Sequence, residues 1–173
     1  MNLALTGFMG AGKTTTGRRL ARILDLPFID TDAEIAREHG EIASIFEREG
    51  EPQFRTYERA VLERVAANGP CVAAVGGGAV VDPSNRRLLR SSGVIVHLAV
   101  SAETAFNRVV RRTHRPLLGP KPDLQTVRAL LAQRAVAYAD SDLAIKADGK
   151  SPIALANIIA RWYRKRLGAA RAR

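Results

Sequence analysis

Short apolar runs alternate along the chain with stretches in which apolar residues return every three or four positions. The runs Leu3 to Thr6, Pro27 to Asp30, Cys71 to Val75, Val94 to Val100 and Leu143 to Lys146 have strand length and are mostly bounded by Gly, Pro, Asp or Ser. Between them, Phe54, Tyr57, Val61, Leu62 and Val65 share one face of a helix. Phe106, Val109 and Val110 form a second stripe, Leu124, Val127, Leu130 and Leu131 a third, and Ile158, Ile159 and Trp162 a C-terminal one. Strand and helix in this alternation predict an α/β architecture: a five-stranded parallel sheet flanked by helices, the stripes serving as core. Two segments break the rhythm, Gly76-Gly77-Gly78 and the stretch Thr113 to Asp123 with Pro116, Pro120 and Pro122. Loops of this kind on an α/β scaffold are where binding residues tend to sit.

Composition adds bounds. The 173 residues suit one domain spanning 1–173, and 46% hydrophobic with 25% charged residues exclude a disordered chain. No apolar run approaches the roughly 20 residues needed to span a bilayer, and the N-terminus lacks a signal-peptide pattern, so the expectation is a cytoplasmic protein without membrane contact. A single cysteine, Cys71, lies in an apolar run and reads as a packed thiol. The formal charge of +10 favours anionic ligands without choosing among them. Six basic residues among the last thirteen read as a solvated helix end and a tail at about 168–173, and no specific nucleic-acid partner is expected.

The chemistry begins at Gly7-Phe8-Met9-Gly10-Ala11-Gly12-Lys13-Thr14, a full G-x-x-x-x-G-K-[ST] match placed after a strand and before a helix. Glycines let the backbone wrap an anion, amides of Gly10, Ala11, Gly12 and the residues up to Thr15 point at phosphates, and Lys13 reaches the outer oxygens. Thr14 offers a hydroxyl to Mg²⁺. The next strand ends in Asp30-Thr31-Asp32, and two-residue periodicity puts both carboxylates on one face at the sheet's C-terminal edge. Asp30 can hold the ion, through water, while Asp32 orients or deprotonates an attacking hydroxyl; Asp32 could equally cap a helix starting at Ala33. Gly76-Gly77-Gly78 stands where a Walker-B acid is often found, and its value is close amide approach and positive φ angles. Arg108, Arg111, Arg112, His114, Arg115 and Lys121 make a basic lid at about 108–123, in which Arg111 and Arg112 read as a solvated face, Arg108 reaches the nucleotide and Arg115 the transferring group. His39 and His97 read as surface and strand positions respectively.

Gly7 to Thr14, Asp30-Thr31-Asp32, Glu49-Gly50-Glu51 with Phe54-Arg55, Gly76 to Gly78, Arg115-Pro116-Leu117-Leu118 and Arg134 with Tyr138 occur in an order and spacing that resembles the shikimate kinases. The resemblance runs from Leu3 to about Tyr138. It implies a three-layer P-loop kinase fold with a mobile lid, similar to nucleoside monophosphate kinases, working as a monomer. It also implies transfer of phosphate from ATP, with Mg²⁺, to the 3-hydroxyl of shikimate, a step of aromatic amino-acid biosynthesis. By resemblance Lys13, Asp32 and Arg115 are catalytic. Arg55 and Arg134 bind the acceptor carboxylate, and Asp32 with Gly76, Gly77 and Gly78 completes an acceptor region within about 32–62 and the glycine loop. The chain departs from the family after Arg134, where a usual proline and glutamate are replaced in Arg134-Ala135-Val136-Ala137-Tyr138-Ala139-Asp140, so its helix is expected to run on through Val136. Rival expectations are a P-loop kinase for gluconate or a nucleotide, a relative that binds ATP without turnover, and a small GTPase switch, the last weakened by the lack of an N-K-x-D string.

Overall fold

The computed structural model describes residues 1–110 and 123–171. Five parallel strands, β1 (Asn2–Thr6), β2 (Phe28–Asp30), β3 (Val72–Ala74), β4 (Gly93–Ala99) and β5 (Leu143–Lys146), form one sheet in the order β2-β3-β1-β4-β5. The helices are α1 (Lys13–Leu24), α2 (Thr31–His39), α3 (Ile42–Ala67), α4 (Pro83–Ser92), α5 (Ala102–Val109), α6 (Leu124–Ala139) and α7 (Pro152–Arg171). All five expected strands are present, each within a residue of its expected ends. Central β1 pairs Leu3 with Val72 of β3 on one side and with Val94 of β4 on the other.

Alternation along the strands divides the core by face. Leu3, Leu5, Val96 and Leu98 pack under α1 and α7, against Leu20, Leu155, Ile159 and Tyr163. Ala4, Phe8, Ala73 and Ile95 face the other way, toward Leu62 and Val65 of α3, Leu89 of α4 and Val127 and Tyr138 of α6. A third cluster, Ile35, Ile45, Phe54 and Val61, holds α2 to α3. Helix α3 is two segments joined at Gly50, whose φ of 79° and ψ of 171° no helix can contain. Pro52 then opens the second segment, where its missing N–H is not needed.

Several expectations change in detail. Val110 ends its stripe outside the core, at 54% exposure, while Val109 is buried. Residues 168–171 form the last turn of α7, so the basic tail is for the most part helix. His39 is half-buried and stacks on Tyr57 with ring centroids 3.6 Å apart. Cys71 is buried as expected, and burial pushes its thiol pKa up. Most of the lid, including Arg111, Arg112, His114, Arg115 and Lys121, lies outside the described residues. Among the described residues no helix is long and apolar enough to cross a membrane.

Candidate active site

The first turn of α1 sets the nucleotide side. Gly10 and Gly12 take φ of 80° and 89°, left-handed values that favour glycine, and Gly12 is the N-cap of α1. No side chain caps that helix start, so its amides are directed outward at the cleft, where an anion is stabilised by the N–H groups and the helix dipole. Lys13 donates from Nζ to the carbonyls of Gly7, at 2.8 Å, and Phe8, at 3.3 Å. Arg108, from the last turn of α5 and expected to reach the nucleotide, donates to the Gly10 carbonyl at 2.7 Å.

Asp30 and Asp32 do not share a strand face. Strand β2 ends at Asp30, which caps α2 by accepting from the Ala33 amide at 3.4 Å, so the capping role considered for Asp32 belongs to its neighbour. Asp32 stands in the first turn of α2, at the positive end of that helix's dipole. Asp30 also accepts from the Thr14 hydroxyl at 2.6 Å, which places the two expected ion-holding groups side by side. Thr31 between them is fully buried and ties the ends of β2 and β3 together, donating to the Ala74 carbonyl and accepting from the Gly76 amide.

The glycine loop after β3 takes no positive φ at Gly76, Gly77 or Gly78, contrary to expectation. Its glycines serve space. A Cβ on Gly76 would lie 2.6 Å from Glu58 Oε1 and 2.8 Å from Asp32 Oδ1; on Gly77, 2.9 Å from the Gly7 carbonyl; on Gly78, 2.7 Å from Arg55 Nη2. Hydrogen atoms at these positions let the acid and guanidinium groups close around the loop.

Glu58 is the residue that sequence reasoning missed. It follows Arg55 by three positions and looks like half of a surface ion pair, yet it is 1% exposed. Arg55 donates to Glu58 at 2.7 Å and to Glu51 at 2.7 Å. Burial alone would lower the Arg55 pKa, but Glu58 and Glu51 outweigh it and raise it. Burial pushes the Glu58 carboxyl up to about 7, against the pull of Arg55 and with repulsion from Asp32 adding to it. The signal that could have found it was the glycine triplet, which requires large neighbours. Folding thus takes up a proton at Glu58 between its ordinary value and about pH 7. Its contribution to stability is complete below that window and lost as pH rises through it. Glu58→Gln is permanently neutral, so urea unfolding from pH 5 to pH 8 should show wild type losing stability relative to the variant. A difference that stays flat, or runs the other way, would contradict a proton held there.

Arg134 is also buried, at 6% exposure, with its guanidinium carbon 5.8 Å from the Phe8 ring centroid. Helix α6 continues through Val136 to Ala139, as the missing proline allows. Asp140 then accepts from Arg86 Nε at 2.6 Å and from Arg90, anchoring the helix end to α4.

One cleft of about 670 Å³ is lined by the phosphate loop, Asp30, Asp32, Arg55, Glu58, Gly76 to Gly78, Arg108 and Arg134. Donor and acceptor of a phosphoryl group can be held there together, the arrangement of a P-loop kinase with a small anionic acceptor. Residues 9–164 match the shikimate kinase family profile. The chain belongs to the shikimate kinase family. It is 45% identical over 145 residues to shikimate kinase of Cereibacter sphaeroides, covering 83% of this chain and 73% of that one. The Geobacter sulfurreducens shikimate kinase is 42% identical over 165 residues, covering 95% and 91%. The solved structure of shikimate kinase from Acinetobacter baumannii in complex with shikimate superposes with a TM-score of 0.90 at 38% identity, covering 95% of this chain and 93% of that one.

Proposed function

We propose that the chain transfers the γ-phosphate of ATP to the 3-hydroxyl of shikimate, giving shikimate 3-phosphate for aromatic amino-acid biosynthesis. The observation that carries this assignment is the convergence of Asp32, Arg55 and Arg134 on the glycine loop, opposite the phosphate-binding turn. Shikimate is a ring with one carboxylate and three hydroxyls. Its carboxylate meets Arg55 and Arg134, since planar guanidinium groups bind carboxylates at two points, and the buried Arg134 in particular calls for an anion. Asp32 accepts from the hydroxyl that attacks, drawing off its proton as the new P–O bond forms. On the donor side, the amides of Gly10, Ala11, Gly12, Thr14 and Thr15 hold phosphate oxygens. Lys13 follows the charge that develops on them, and Arg108 borders the nucleotide.

Thr14 and Asp30 would hold Mg²⁺, Asp30 through water. Hydroxyl and carboxylate oxygens 2.6 Å apart are the hard donors this ion prefers. When bound, the ion neutralises charge on the phosphates. Arg115 is assigned to the transferring phosphoryl on the strength of the family pattern alone. A single chain carries both the phosphate loop and the acceptor groups, which supports a monomer as the working form, and a biosynthetic kinase of this kind is assigned to the cytoplasm.

A coupled assay of ATP consumption with shikimate, gluconate, AMP and no acceptor tests the assignment. Shikimate should raise the rate at least a hundredfold over the blank, and gluconate and AMP should not. A rate with shikimate equal to the blank overturns it.

A further inference from the structure

Beneath the glycine loop, outside the groups assigned to substrate, His97 and Tyr138 stack with ring centroids 4.5 Å apart and planes inclined by 19°. Both are buried, at 8% and 4% exposure. His97 belongs to β4 and pairs in register with Thr6, the strand residue that leads into the phosphate loop. Tyr138 comes from α6, one helical turn after Arg134. Its hydroxyl donates to the Gly77 carbonyl at 2.8 Å. The same hydroxyl and Arg134 Nη1 each lie 3.5 Å from the point a Gly77 Cβ would occupy, and the Gly7 carbonyl, which accepts from Lys13, lies 2.9 Å from it. Tyr138 and Arg134 thus stand side by side beneath Gly77.

We infer that His97 and Tyr138 are positioning residues for the acceptor: the His97 ring braces Tyr138, and Tyr138 fixes the Gly77 backbone and the Arg134 guanidinium in the geometry that receives the acceptor carboxylate. The inference rests on the assignment of Arg134 to that carboxylate. Position decides the means. His97 Nδ1 is buried without a hydrogen-bond partner among the described residues, so the ring acts through its face. Burial, with the Lys13 charge adding to it, holds the imidazole down to about 4, so Tyr138 meets a neutral ring near pH 7. Offset stacking of neutral rings is favourable and directional, and it fixes where the tyrosine hydroxyl points. Without that hydroxyl, the Gly77 carbonyl loses its donor and Arg134 a neighbouring contact at the position where both face the ligand.

The test compares Michaelis constants for the two substrates in Tyr138→Phe, His97→Ala, His97→Phe and the double variant Tyr138→Phe/His97→Ala. Tyr138→Phe should raise KM for shikimate on the order of tenfold, the effect of one lost hydrogen bond, with KM for ATP within about twofold of wild type. His97→Ala should act in the same direction, and His97→Phe, which keeps a flat ring, should restore most of the loss. The double variant should be no worse than Tyr138→Phe alone, because both changes act through one hydroxyl. A merely structural role would instead lower the melting temperature and raise both Michaelis constants together, and that outcome overturns the inference. If His97→Ala does not fold, Tyr138→Phe decides alone, and an unchanged KM for shikimate rejects the strut. Arg134→Lys separates the two levels of interpretation. A raised KM there with a normal Tyr138→Phe rejects only the strut, whereas no change in Arg134→Lys removes the pocket assignment and the strut with it.

Discussion

Asp32→Asn should lower kcat for shikimate phosphorylation about a thousandfold and leave ATP affinity within a few-fold. The substitution keeps the shape of a side chain in the first turn of α2. What it removes is the ability to take a proton. Positioned general bases contribute roughly 10² to 10⁴ in rate, and Asp32 is the acid placed with its Oδ1 at the glycine loop, facing the acceptor groups. Asp30, the neighbouring carboxylate, is engaged with Thr14 and the α2 cap and is badly placed to substitute for it. Turnover numbers with saturating substrates, together with calorimetric titration of ATP, make the measurement. Loss of ATP binding in proportion to kcat would mean that Asp32 serves the nucleotide, and a kcat within tenfold of wild type would remove it as a base.

Gly76→Ala should be nearly as damaging, by a different route. The backbone at Gly76 is not left-handed, so alanine adds no torsional strain and the effect isolates one methyl group. That methyl would stand 2.6 Å from Glu58 Oε1 and 2.8 Å from Asp32 Oδ1, closer than real side chains come. Asp32 is tied to the short turn at the start of α2, and Glu58 is buried and held by Arg55, so neither carboxylate yields easily. Displacing a reacting group by about 1 Å costs on the order of a hundredfold in kcat/KM. Overpacking a full site costs about 1–3 kcal/mol of stability as well. Kinetics and urea unfolding, with Gly168→Ala as a control whose added methyl meets nothing within 4 Å, should show both losses. Wild-type kinetics in Gly76→Ala would show that the carboxylates are not confined as the structure has them.

The phosphate loop was legible because its function is local. Its glycines, Lys13 and the start of the following helix lie within eight residues, and an anion there is bound by backbone whose conformation those residues dictate. Strands were legible as apolar runs, but the place of β3 between β2 and β1 was not, since a crossover connection does not state which strand it will join. Two-residue periodicity puts the paired aspartates on one strand face, but it does not extend past Asp30. The chain turns into a helix at Thr31, and the capping preference of Asp30 decided the boundary. Glu58 was hidden by its own neighbourhood: Arg55 three residues earlier accounts for it as a surface pair, and only a loop from β3, some twenty residues on, buries it. His97 reads as a strand residue and lies in β4, but its contact with Tyr138 joins positions 41 residues apart that no periodicity connects.

The sheet order carries a consequence for how such an enzyme can change. Strands β2 and β3 form one flank, and from it hang Asp32, the α3 residues Arg55 and Glu58, and the glycine loop. From β1 and β4 hang the phosphate loop and Arg108. On the proposed assignments, the acceptor groups and, Asp30 apart, the nucleotide groups lie on opposite sides of a single hydrogen-bonded boundary, between β3 and β1, and among the described residues Arg134 is the acceptor group that comes from the nucleotide flank. Mutation can redraw the first flank while the second continues to work. A designer seeking a new acceptor would recode the α3 residues, the glycine loop and Arg134, keep Asp32 and leave the phosphate machinery untouched.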